Sequence, residues 1–414
     1  MTMTRLPHWT GLGLTAMTTL GACVQTEDLS DPAALMTATD GSSSTGGDDG
    51  ASSVSATSTT GEGTCATTAV THTSFELFGG PAASPTLSGF QDIVISDDGS
   101  VTVAFIQGDN IWVEVDAEGA RSFSGDAPGT VGHVGYFDDA SGGRRVVALD
   151  FFVGATDWLQ MVEADGSVVW NAPQFDNGGP FNTLVDDVVV LADGSSVVHM
   201  YWVSGEEQYA RLAHFDAAGL ELDHYEVTGP GFRGIVQAPS GDVWVGQAAG
   251  QDTSLLRFAG GSFAAPAQTL TLTGQWLTSL DVDGEGQLLA VSQDAYVDPA
   301  TPITTRLQIV DPDDGAIVRA YSSGTTAGFG NVVDAVAGPC GELFVVGGDP
   351  ATFQAWVAEL DAGGVVWSDS LDADSPAVTV KVAEDGTLVV VGQASVYDAG
   401  VPITVGPFIA RYEP

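Results

Sequence analysis

Beyond residue 70 the chain alternates short apolar runs with polar punctuation, and the period is two rather than 3.6. The runs are rich in Val, Ile, Leu and aromatic residues and break at Asp-Gly or Gly-Gly pairs, the pattern of strands joined by tight turns. One phrase recurs along the chain: "FQDIVISDDGSVTVAF", "LVDDVVVLADGSSVVHMYW", "FRGIVQAPSGDVWVGQ", "LTSLDVDGEGQLLAVSQ", "VVDAVAGPCGELFVVGG" and "VTVKVAEDGTLVVVGQ". A looser copy, "GHVGYFDDASGGRRVVALDF", brings the number of units to seven.

The turn glycines of these units, Gly99, Gly143, Gly194, Gly241, Gly286, Gly341 and Gly386, lie 44 to 55 residues apart. Four short strands fill such a period. Each unit opens with a hairpin of strands A and B. A strand C follows in which Trp158, Arg211, Arg306, Trp356 or Phe408 stands five residues before the acid that opens the next turn. Strand D comes next, as in "GSVVWNAP", "GLELDHYE", "GAIVRAY" and "GVVWSDSL". Repetition of a four-stranded unit at this period is the signature of a β-propeller. Continuous apolar stretches such as "TLVVVG" fit blades covered on both faces. The seventh unit ends at "FIARYEP" without a strand D, and the one unassigned strand, "TSFELFG" (73–79), precedes the first unit. The pattern therefore predicts an all-β, seven-bladed β-propeller of four-stranded blades over residues 70–414. Its ring is closed by the N-terminal strand joining the C-terminal blade, which avoids exposed sheet edges at the two chain ends.

Charge narrows the partners. Asp and Glu number 54 against 11 Lys and Arg, a formal charge of −43, and Lys381 is the only lysine. So negative a surface repels phosphate backbones, which excludes nucleic acid, and suits cations or basic partners. The N-terminus carries Arg5 and then the apolar run "GLGLTAMTTLGA", too short to span a bilayer but of the length of a secretion-signal core. It ends in "LGAC", which resembles the lipobox of bacterial lipoproteins. That resemblance implies a signal peptide over 1–22, lipidation of Cys23, and contact with the membrane through the lipid alone. Residues 23–69 include a stretch of Gly, Ser, Thr, Asp and Ala that cannot recover its ordering entropy by burial, the composition of a disordered tether of about 35 Å. Cys340 lies in the A–B turn of the sixth unit, and Cys65 precedes the strand assigned to the seventh blade. Both fall toward one face, so an exported chain is expected to join them in a disulfide.

The last unit, "VKVAEDGTLVVVGQASVYDAGVPITVGPFIARYEP", resembles the bacterial delta-60-type propeller repeat. The segments "VEADGSVVWNA" and "ELDAGGVVWSD" resemble the strand-turn-Trp element of pyrroloquinoline-quinone-like propellers. These resemblances imply blade construction and little chemistry. The adjacent cysteine pair of the quinoproteins is absent, and the repeat Trp residues are expected to pack between blades. The arginines are scattered, the histidines show no ligand spacing, and no nucleophile-elbow, zincin or P-loop motif occurs.

Two features point to a divalent cation, calcium being the one that fits oxygen ligands. "DVDGEGQL" places Asp281, Asp283 and Glu285 at alternate positions as in the first part of a calcium loop, although the terminal acid is missing and the segment coincides with an A–B turn. Seven residues before the turn glycine stand Asp92, Asp187, Gly234, Ser279, Asp334 and Thr379, a polar column on the innermost strand. Its carboxylates either recruit a cation or hydrogen-bond backbone amides of a neighbouring blade. No certain cofactor and no catalytic residue emerge. The expectation is a monomeric, lipid-anchored extracytoplasmic binding or scaffold module at the bacterial cell envelope, with an envelope protein or glycan as ligand. The alternative is a metal-dependent propeller hydrolase or lyase with an acidic channel site.

Overall fold

A computed structural model describes the backbone of residues 71–77 and most of 90–413, with side chains chiefly from residue 187 onward. The signal segment, Cys23, the tether and Cys65 lie outside the described residues. The described strands form seven four-stranded antiparallel sheets, and no α-helix occurs among the described residues. In chain order the sheets occupy 90–124, 130–173, 184–228, 232–272, 275–322, 331–370 and 377–413, and are called sheets 1 to 7. Within each, strands A, B, C and D pair in sequence.

The fourth strand of sheet 7 comes from the other end of the chain. Thr71–Leu77 pairs antiparallel with the C-terminal strand, Phe75 opposite Ala410 and Leu77 opposite Phe408. The strand starts two residues earlier than the pattern places it, because Thr71 and His72 continue the ladder opposite Glu413 and Tyr412.

Strands B and C are the most buried. In sheet 6, Val345, Val346, Val357 and Ala358 are all without exposure, although they point to alternate faces. One face meets the preceding sheet and the other the following one, so both must be apolar. Strand D is different. In sheet 3, Glu221–Thr228 alternates half-buried and exposed positions, as an outer strand covered on one side should. The aromatic residues of strand D face inward across the sheet boundary. Trp170 of sheet 2 lies over Gly219 of sheet 3, where a Cβ would sit 2.4 Å from the indole, and Trp367 of sheet 6 meets Tyr412 of sheet 7 edge-on at 5.4 Å.

Strands A of successive sheets contact one another in order, and strand A of sheet 7 contacts that of sheet 1. The same last-to-first boundary holds a hydrogen bond from the Arg411 guanidinium to the Gly99 carbonyl at 3.4 Å. The polar column lies on these strands A.

Candidate functional site

Every strand A carries a β-bulge at the same place, shifted by one residue in sheet 4. The ladder slips between Phe90 and Asp92, Val131 and His133, Val185 and Asp187, Arg233 and Ile235, Leu277 and Ser279, Val332 and Asp334, and Ala377 and Thr379. A bulge adds one residue, bends the strand and frees backbone groups from the ladder. It also supplies the column member that sequence alignment cannot reach. His133 pairs with Ala148, five residues past the turn glycine, as Asp92, Asp187, Ser279, Asp334 and Thr379 do in their sheets. The long turn "DDASGGRR" hides this in a count from Gly143; strand B, counted forward from the glycine, would have revealed it.

Where side chains are described, the column is a chain of hydrogen bonds between sheets. Asp334 of sheet 6 accepts from the Ser279 hydroxyl of sheet 5 and, at 2.8 Å, from the Thr379 hydroxyl of sheet 7. It also accepts from the backbone amides of Val380 (3.1 Å) and Ala335 (2.9 Å). Four donors on one carboxylate link three sheets. Burial pushes the Asp334 carboxyl above the usual range, against the pull of those donors. Asp334 is half-buried, and the loss of water around its carboxylate outweighs the pull of the donors.

The bulges leave a second group to satisfy, the amide nine residues before the turn glycine. The Phe232 amide donates to Nε2 of the buried His199 at 3.2 Å, the Leu277 amide to the Thr253 hydroxyl and the Val332 amide to the Thr305 hydroxyl, both at 3.2 Å. Thr253 and Thr305 in turn donate to the carbonyls of Gln275 and Gly330. In each case the partner belongs to the preceding sheet, so the local defect in one sheet latches it to the next.

Two residues past the column stand Val94, Val189, Val236 and Val336 in sheets 1, 3, 4 and 6, but Asp281 in sheet 5 and Lys381 in sheet 7. Sequence reasoning missed this break, although lining up that position would have shown it. Burial pushes the Asp281 carboxyl up to about 7; the charges of Asp334 and Asp283 push the same way, while the Val282 amide at 2.8 Å and the charge of Lys381 oppose.

Asp283 caps its hairpin: its Oδ1 accepts from the amides of Glu285 (2.9 Å) and Gln287 (2.8 Å), and the Gly286 amide donates to its carbonyl at 3.0 Å. The Gly99, Gly194, Gly241, Gly341 and Gly386 amides close the same turn in their sheets, so "DVDGEGQL" has the backbone of the other A–B turns. Glu285 is exposed on that turn, and Asp187 is half-buried in its strand. The backbone of Asp92 is in strand A, its side chain outside the described residues. Among the described residues, no group of three or more His, Cys, Asp or Glu is arranged to hold a metal ion. Cys340 is disulfide-bonded.

No protein-family model matches the chain, and no curated protein sequence matches it. Solved structures do. The propeller of Dos1 is 14% identical, with 78% of this chain aligned to 77% of that one at a TM-score of 0.51. The polysaccharide lyase Uly1 (10% identity, 81% and 91% covered, TM-score 0.49) and the WD40 β-propeller domain of Doa1 (15%, 82% and 97%, 0.47) are similar at lower TM-scores. At these identities the likeness is one of fold: the chain is an all-β protein of the β-propeller type.

Proposed function

We propose that the chain is a lipid-anchored, extracytoplasmic β-propeller whose seven sheets close into one ring, acting as a binding or scaffold module at the cell envelope. The observation that carries the module reading is the engagement of the axial column. The oxygens of Ser279, Asp334 and Thr379 hold sheets 5, 6 and 7 together, whereas a hydrolase or lyase needs titratable groups from several blades converging on open space. Closure draws support from the pairing of Thr71–Leu77 with the C-terminal strand and from the contact between the first and last inner strands.

The anchor rests on the lipobox ending at Cys23. With Cys23 acylated, Cys65 is the one cysteine left to pair with the disulfide-bonded Cys340. It lies six residues before Thr71, and Thr71, opposite Glu413, starts at the end of sheet 7 where its A–B turn lies, which supports the pairing. Metabolic labelling with a clickable fatty acid should mark the wild type and not Cys23→Ala. The denatured, unreduced Cys23→Ala chain should show no reactive thiol, and two would refute the pairing. Capture from envelope extracts on the full chain tests the module itself: a reproducible, saturable partner supports it, and none under any condition sinks it.

A further inference from the structure

A cleft of about 860 Å³ opens on the A–B turn side between sheets 5 and 6 and reaches strand A of sheet 7. Its apolar lining includes Ile309 and Val318 of sheet 5, Leu343 of sheet 6 and Val382 of sheet 7. Asp283 and Glu285 stand on one wall, and on another Arg319, whose guanidinium donates to the Tyr321 hydroxyl at 3.3 Å. Val318 is 53% exposed and occupies the bulge of strand D, where Ile309 pairs with Arg319 and Val310 with Ile317. Exposed aliphatic residues fill the same bulge in sheets 2, 3 and 6, at Val169, Leu222 and Val366. The exposed bulge is thus a feature of blade construction. In sheet 5 this aliphatic residue borders a concave space with carboxylates beside it.

We propose that this cleft binds an extended peptide segment of a partner protein that presents a basic side chain next to an aliphatic one. The inference deepens the binding-module reading and rests on it. Two lines choose the occupant. The described lining of the cleft combines apolar residues with the carboxylates of Glu285 and of Asp283, the latter also capping its hairpin, against one guanidinium that donates to Tyr321; in a chain of formal charge −43, complementarity favours a cation carried on an apolar frame. Among the described residues its lining holds no aromatic side chain on which a sugar ring could lie, and peptide is favoured over glycan.

The test uses the full chain in detergent and fluorescein-labelled hexapeptides of alternating Lys and Val, alternating Glu and Val, and alternating Gly and Ser, read by anisotropy. The Lys-Val peptide should bind and the others should not. Glu285→Lys and Val318→Asp, both at exposed positions, should each weaken it about tenfold. Glu226→Lys, an equal charge change on the outer strand of sheet 3, should leave it unchanged. Equal weakening by Glu226→Lys, or no weakening by either cleft variant, means general attraction to an acidic surface and overturns the site. Absence of binding by every peptide overturns it too, while capture from envelope extracts still decides the module reading on its own.

Discussion

The junctions between sheets 4 and 5 and between sheets 6 and 7 meet at the same height of the inner strand and are closed in opposite ways. At the first, the column residue is Gly234, itself the unpaired residue of the bulge, with φ at +61°. A Cβ there would lie 2.8 Å from the Leu280 Cβ and 3.0 Å from the Leu280 amide nitrogen, so backbone meets backbone directly. At the second, Asp334 reaches across, and its carboxylate takes the Val380 amide, which stands in the seventh sheet where Leu280 stands in the fifth. A column that reads in sequence as a loose polar or small set is therefore one geometric position. The bulge fixes its place, and the spacing of neighbouring strands decides whether a carboxylate or nothing at all fits between them.

The largest expected effect comes from emptying the bridged junction. Asp334→Ala leaves two amides and two hydroxyls without their common acceptor and should cost about 4 kcal/mol of stability, with Asp334→Asn nearer half of that. Urea melts of both variants check it, with Asp313→Ala on an exposed turn as reference. If Asp334→Ala melts like the reference, the carboxylate is no bridge and the contrast between the junctions disappears.

Filling the close junction comes next. Gly234→Ala meets both the positive φ and the contact with Leu280, whereas Gly241→Ala meets only a φ of +85°, since nothing lies within 4 Å of its would-be Cβ. The expected costs are about 3 kcal/mol and about 1 kcal/mol. The difference measures the approach of the two sheets. Equal melting temperatures for the two variants would mean that sheet 5 moves aside freely.

How much of this was open to sequence reading differs by level. Seven A–B turns, the strand order and the partner of "FIARYEP" follow from periodicity, because each strand announces itself by local alternation and each turn by glycine. The column was found at six of its seven places, and His133 was lost because a turn of different length breaks a count made from one glycine. The roles of its members were not legible. Whether Asp334 faces a cation or the Val380 amide depends on the distance between strands 46 residues apart, which no local pattern encodes. The same holds for the latches: His199 and Thr305 look like ordinary strand residues until the bulge in the next sheet is known to leave an amide in front of each.

The charged break two residues past the column sharpens the comparison through pH. The folded Asp281 carboxyl titrates at about 7, above its ordinary value of 3.8, so between about pH 4 and 7 the folded chain keeps a proton that the unfolded chain has lost. Its contribution to stability therefore falls as pH rises through that window and is level above it. Asp281→Asn carries no such proton. The stability of the variant relative to the wild type should therefore rise by about 2 kcal/mol between pH 5 and pH 8, the value being reduced because Asp281 keeps some solvent access. Taking the difference between the two chains removes Asp193, Asp242 and Asp294. These lie below their ordinary values, and their stabilisation is lost instead as pH falls through the acid range. A difference that is constant from pH 5 to 8 would refute the assignment.

The smallest effect belongs to the latches, and it separates the two junctions once more. Thr253 and Thr305 stand seven residues past the turn glycine across the B–C ladder, opposite Ala248 and Gln293, and in sheet 6 the same place, opposite Gly348, holds Ala355. The junctions after sheets 4 and 5 thus have a hydroxyl that takes one amide and gives to one carbonyl, while the junction after sheet 6 has a methyl group there and relies on Asp334. Thr305→Val keeps the shape and removes the hydroxyl, leaving the Val332 amide and the Gly330 carbonyl to find other partners. A cost of about 1 kcal/mol follows, with Thr253→Val alike and Thr305→Ser smaller. Amide exchange gives the sharper readout: the Val332 amide should lose protection in Thr305→Val while the Val380 amide, held by Asp334, keeps it. If both amides exchange as in the wild type, the bulge amide is covered by packing alone, and the hydroxyl latch is not what distinguishes one junction from the other.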